Sequence, residues 1–223
     1  WLTDAEKRLT TAEPISRVLN TVTKQVDDHK SFQKDIGNYR ESMIQLDKKG
    51  SHLKYFSQKQ DVILIKNLLV SVQHRWDRVV TKGTERMRAL DHGLKESKEF
   101  YEAWTTLTSW LRDTEKQMDK IDDELNGSSD PVKVKHALEQ IQNIHRALSG
   151  KQGEYDTLLR TGKTLIEKAP KSDEPELSQM LNELKELWTK TCSRSIERQR
   201  KFEEALLLTG QFSEALTAVF EWL

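Results

Sequence analysis

A single cysteine, Cys192, leaves this chain without an internal disulfide and without the thiolates of a structural zinc site. Proline is almost as scarce. Pro14, Pro131, Pro170 and Pro175 all fall between stretches of regular apolar spacing, as expected of a residue that lacks an N–H and clashes with the preceding turn. Nine glycines in 223 residues leave little turn-forming material, a profile of long helices rather than of a compact enzyme. No apolar run approaches the ~20 residues that span a bilayer, and no signal peptide opens the chain. Charge of one sign is also missing in excess: Lys+Arg and Asp+Glu are both 36, so the whole-chain attraction that drives binding to nucleic acid or anionic membranes is absent. Six histidines are scattered without an HExxH or Cys-His cluster. These absences predict a reducing, cytoplasmic setting, no nucleic-acid partner, no membrane insertion, no metal and no cofactor.

What is present is periodicity. From Asp61 to Asn126 one proline-free stretch keeps a stripe through Val62, Ile65, Leu69, Val72, Trp76, Val79, Gly83, Met87, Leu90 and Leu94, then Tyr101, Trp104, Leu107, Leu111, Met118, Ile121 and Leu125. Steps that mostly alternate three and four average 3.5 residues, a coiled-coil period. At 1.5 Å per residue such a helix would be roughly 100 Å long, which predicts a rod with this helix as its spine. A second stripe runs from about Pro14 to Leu53, a third from Pro131 to Ala169, and a fourth begins near Ser172 or Asp173, either of which suits a helix cap. Trp1 to Ala12 reads as the end of a further helix closed by Pro14. Ser57 with Gln60 has the spacing of a capping box for the spine, and Asp130-Pro131 that of an N-cap followed by proline in the first turn.

Self-comparison gives the organisation. Trp76 and Trp110 recur 112 residues later as Trp188 and Trp222, and Glu85-Arg86, Arg88, Leu94, Phe100, Glu102-Ala103 and Leu111 recur at the same offset. Trp1-Leu2 matches Trp110-Leu111, and His29, Tyr39 and Gly50 have counterparts in His145, Tyr155 and Gly162. The chain is therefore about two periods of a helical repeat.

Three helices per period of about 110 residues, with one Trp in the first helix and one in the third, resemble the spectrin repeat. Ser195-Ile196-Glu197-Arg198-Gln199-Arg200, Phe202-Glu203-Glu204-Ala205-Leu206, Gly210-Gln211-Phe212 and Trp222-Leu223 are similar to the rod repeats of spectraplakins, a plakin family of giant cytoskeletal linkers. The resemblance implies an all-α fold: tandem antiparallel three-helix bundles joined by a continuous long helix. Residues 1–97 would be a first repeat whose first helix is truncated at its N-terminus, 98–209 a second, and 210–223 the start of a third. The function implied is a non-enzymatic spacer in a linker that connects actin, microtubules and/or intermediate filaments. Its actin-, microtubule- and calcium-binding modules would lie outside this segment, and its partners, cytoskeletal or junctional proteins, would be reached through the parent. A cytoplasmic, cytoskeletal location and a monomeric fragment are expected. The alternative function is a protein–protein binding module using one face of the tandem repeat.

Trp1, Trp76, Trp110, Trp188 and Trp222, with His29 and His145, are expected in bundle cores, the two histidines each with one polar partner. Trp104 lacks a repeat mate, since Leu216 stands in its place, and is assigned to local helix packing. Leu94, Ser97, Phe100, Tyr101, Leu206 and Phe212 are expected at the inter-repeat junction, in continuous helix. Thr161-Gly162-Lys163-Thr164 looks like the end of a phosphate loop, but Thr157 stands where that motif needs glycine and no strand precedes it. Arg194, Arg198, Arg200 and Lys201 read as a solvated face with intrahelical pairs rather than a site for an acidic partner. Leu206-Leu207-Leu208 must leave at least one leucine off the stripe, an apolar patch unless a neighbour covers it. No residue is assigned a catalytic role.

Overall fold

The computed structural model describes residues 1–125, 127, 128 and 130–222, with side chains as far as residue 217. Five helices follow one another: α1 (Leu2–Thr10), α2 (Leu19–Phe56), α3 (Lys59–Leu125), α4 (Pro131–Lys168) and α5 (Glu174–Trp222). The fold is all-α, as the stripes predict. The spine, α3, is helical for 67 residues without a break. It ends where Gly127 takes φ 71°, a left-handed conformation that glycine adopts without strain.

The chain forms two compact units, Trp1–Glu99 with Leu165–Glu174, and Phe100–Thr164 with Pro175–Leu223. In the first unit, Ala5 of α1, Phe32 of α2 and Val79 of α3 form one core cluster, with Trp1, Leu2, Leu9 and Ile36 packed around it. Val22, Val26 and Leu90 form another with Ile15, Met87 and Leu94. Earlier residues of α2 thus meet later residues of α3, which makes that pair antiparallel, while α1 runs parallel to α3. Trp1 stacks on Tyr39 at 4.4 Å and lies 5.6 Å from Trp76. Glu6 receives a forked hydrogen bond from Arg75, which joins α1 to α3 and holds the Glu6 carboxyl below its ordinary range.

The second unit repeats the plan. Trp104 donates to the Met180 carbonyl at 2.8 Å, Arg112 pairs with Glu183, and Arg198 with Asp122, so α3 and α5 run in parallel. Tyr155 of α4 stacks on Trp188 at 4.4 Å, while the later Gly162 meets the earlier Leu181, so α4 is antiparallel to α5. Each unit is an antiparallel three-helix bundle. Gly162, the centre of the phosphate-loop look-alike, lies inside a helix, where a Cβ would come within 2.5 Å of Leu181 and 3.0 Å of Phe100. Close packing, not phosphate, explains that glycine.

Three local expectations are corrected. α2 begins at Leu19, not at Pro14, because Pro14 to Arg17 form an irregular connection. The Ser57 hydroxyl donates backwards to the Leu53 carbonyl at 2.8 Å, closing α2 instead of opening α3. Arg194 and Arg198 reach across to Glu115, Asp119 and Asp122 on α3, so the intrahelical account holds only for Arg200 with Glu204. Asp130 behaves as expected, accepting from the Val132 N–H at 3.0 Å as an N-cap.

Candidate functional site

The most densely built polar arrangement in the first unit is a corner where the α1–α2 connection meets the α4–α5 turn. Pro14 prevents the helix from continuing, which leaves backbone groups to satisfy. Gln25, one turn into α2, does part of this: its Nε2 donates to the Pro14 carbonyl and its Oε1 accepts from the Ser16 N–H, both at 2.9 Å. Asp173 does the rest. Its Oδ2 accepts from the Ser16 hydroxyl and from the Arg17 N–H, each at 2.7 Å, while Ser16 Oγ accepts from the Val18 N–H at 3.1 Å. Ser16 is 2% and Asp173 6% exposed, so this carboxylate, immediately ahead of α5, is a buried structural acceptor.

Charges surround the corner. Glu96 receives a hydrogen bond from Lys168 at 3.0 Å, and its other oxygen lies 3.1 Å from Arg17 Nη1 and 3.4 Å from His92 Nδ1. The Arg17–Glu96 contact is an ion pair out of hydrogen-bond alignment. Burial pushes the Glu96 carboxyl up, but the Lys168 hydrogen bond and the charges of Arg17, Lys168 and His92 outweigh it and hold the group below the ordinary 4.5. A depressed folded-state pKa means stability that is full above the unfolded value and is lost as pH falls through the folded one. The first unit should therefore lose stability as pH drops below about 4.5, and Glu96→Gln should flatten that slope. Urea midpoints measured from pH 6 to pH 3 for both proteins check this.

Gly93 makes room for the corner. A Cβ there would stand 2.6 Å from Arg17 Nη1 and 3.0 Å from Ile15 Cγ2. Helix propensity alone favours Gly→Ala by about 1 kcal/mol. Because Arg17 would have to leave Glu96, Gly93→Ala is expected to destabilise instead, by about 1 kcal/mol in a chemical denaturation series.

The expected site residues are placed as follows. Trp76 and Trp188 are buried, Trp1 and Trp110 half-buried, and the Trp222 side chain lies outside those described. His29 is buried and its Nε2 meets the Gly83 carbonyl at 2.7 Å. A carbonyl only accepts, so Nε2 carries the proton. His145 is half-buried, and its Nδ1 has no hydrogen-bond partner among the described residues. At the expected junction, Ser97 and Phe100 are buried, Leu94 and Leu206 half-buried, and Tyr101 and Phe212 exposed, Phe212 by 66%. All lie in helix, within α3 or α5. Sequence reasoning missed Ser16, Arg17, Glu96 and Lys168, and placed Gln25 only on the stripe of the second helix. The available signal was Gly93, a small residue in a strong helical pattern that marks close approach by another segment.

Chemically the corner is a clasp. Ser16 is a buried hydroxyl bonded directly to a carboxylate. A concavity of about 180 Å³ beside it is lined by Arg8, Glu13, Gln25, His29 and Arg86. Among the described residues no group of three His, Cys, Asp or Glu could hold a metal, and no helix is long and apolar enough to cross a membrane.

A chain of helical bundles pinned by interhelical ion pairs defines a helical-repeat protein. This one belongs to the spectrin-repeat family, whose model matches residues 1–92 and 95–204. Over its whole length it is 47% identical to microtubule-actin cross-linking factor 1 of rat, and likewise to human isoforms 1/2/3/4/5 of the protein of that name. It is 23% identical to rat utrophin. The chain spans 4% of the rat cross-linking factor, 3% of those human isoforms and 6% of utrophin.

Proposed function

We propose that this chain is a non-enzymatic spacer, a rod segment of a giant cytoplasmic linker that joins cytoskeletal filaments through modules elsewhere in the parent. Two repeats, residues 1–97 and 98–209, with 210–223 opening a third, are the working units of that reading. Its main support is α3, a single helix whose first part is packed in one unit and whose last part is packed in the other. Similarity to a protein named for cross-linking microtubules and actin points the same way. A covalent helix transmits load through backbone hydrogen bonds without a hinge, which is what a spacer requires.

Ser97→Pro tests it. The substitution removes one α3 hydrogen bond and clashes with the preceding turn, at a cost of ~3 kcal/mol or more. Helix content should be nearly retained while the spread of distances between one fluorophore on α2 and one on α4 widens. An unchanged distribution would overturn the spacer reading.

A further inference from the structure

One arginine of the first unit lacks the carboxylate that its counterpart in the second unit has, and we infer that it takes the acidic side chain of a partner protein instead. The two repeats supply the comparison. Trp1 matches Trp110 in the first helix and Trp76 matches Trp188 in the third, so Glu13 stands where Asp122 does and Arg86 where Arg198 does. Arg198 is closed by Asp122, whose Oδ2 accepts from Nε at 2.9 Å and from Nη2 at 2.6 Å. Asp122 reaches it because α3 is still helical there. In the first unit α1 has already ended at Thr10, and Glu13 lies in the connection ahead of Pro14. From there it gives Arg86 Nη2 its backbone carbonyl at 2.8 Å, not its carboxylate. Among the described residues this is the one hydrogen bond that Arg86 makes, and it has no ion pair.

A guanidinium offers five N–H donors in a planar fork that matches a carboxylate, and one carbonyl leaves most of them unused. Burial holds the Arg86 guanidinium below its ordinary pKa against the opposing pull of the Glu13 charge, so this is a partly desolvated cation short of acceptors. It lines the concavity of about 180 Å³ described above, where Leu9, Ala12 and Phe32 supply an apolar wall for the methylenes of an entering side chain. The other cation of the lining, Arg8, is already engaged, 4.8 Å over the Phe32 ring and 3.8 Å from Asp35. Glu13 and Asp28 also line the concavity, and both are exposed. These two charges leave a place for one carboxylate and disfavour a phosphate dianion or an acidic run. The ligand is therefore a single Glu or Asp side chain flanked by neutral or basic residues. This goes beyond the spacer reading and does not rest on it.

NMR of the whole 223-residue chain at low salt tests the assignment, with the Arg86 Nε–H and the His29 ring as reporters and the end-blocked peptide Lys-Ala-Glu-Ala-Lys as probe. Both resonances should move saturably, and the same peptide with Gln in place of Glu should move neither. Sodium acetate lacks the methylenes that the apolar wall would cover and should need about tenfold higher concentration. Inorganic phosphate should bind no better than acetate. Arg86→Lys keeps the charge without the fork and should weaken the glutamate peptide about tenfold, whereas Arg88→Lys, at an exposed position of the same helix, should leave it unchanged. Glu13→Gln removes a lining charge at an exposed position, without touching the packing of Arg86, and should tighten binding. A glutamate peptide that moves neither resonance overturns the inference, as does a glutamine peptide that moves them equally or a Glu13→Gln variant that binds more weakly. Acetate or phosphate as effective as the glutamate peptide would make this a site for free anions and overturn the assignment to a partner's side chain.

Discussion

Replacing Asp173 by alanine is expected to destabilise the first bundle by about 3 kcal/mol, although Asp173 follows most of the second bundle's residues in the chain. The reason is its pair of 2.7 Å hydrogen bonds to the Ser16 hydroxyl and the Arg17 N–H in a corner where both oxygen-bearing side chains are almost wholly buried. A hydrogen bond to a charged group contributes about 1.5–3 kcal/mol, and stranding a buried donor adds a desolvation penalty. Ser16 and the Arg17 backbone would both be stranded. Asp173→Asn keeps one acceptor oxygen without the charge and should lose roughly half as much. Amide exchange locates the effect: protection should fall in the first turns of α2 and around Gly93 on α3. A loss confined to the first turn of α5 would mean that Asp173 acts as a helix cap.

Trp188→Ala should have the larger effect, about 3–5 kcal/mol, confined to the second unit. Trp188 is 7% exposed and stacks on Tyr155 at 4.4 Å with rings 13° apart, a contact that also buries the Tyr155 phenol and raises its pKa. Truncation would remove the indole and leave a cavity between α4 and α5. Trp188→Phe keeps an aromatic face and should recover most of the stability. Calorimetry should show one transition moving down while exchange protection around Val79 and Phe32, the first unit's core, is unchanged. Equal losses at Val79 and Phe32 would contradict the confinement.

Much of the fold was legible because apolar spacing maps directly onto a helix face. The stripe through Trp76, Val79 and Leu90 is buried in α3, and Trp188, Thr191 and Phe202 are buried in α5 at the same repeat positions. Polar residues were less legible. Ser57, Asp173 and Arg194 were read as acting on their own helices, since each has the right group at the right spacing. A hydroxyl, carboxylate or guanidinium has donor and acceptor capacity that sequence displays, but its partner is a matter of which segments meet. Ser57 turned back to Leu53, Asp173 reached Ser16 across 157 residues, and Arg194 reached Glu115 across 79. The candidate site lay mainly among such residues, so Asp173 had been noticed only as a helix cap.

The amino-acid sequence by itself determined helical periods, the repeat of 112 residues, the uninterrupted α3 and the family, because these follow from local spacing and from self-similarity. Tertiary structure alone decided that Gly93 admits Arg17 and that Glu96 gathers Arg17, Lys168 and His92. Burial and ion pairing depend on distances between residues far apart in the chain, and only packing of the helices sets those distances.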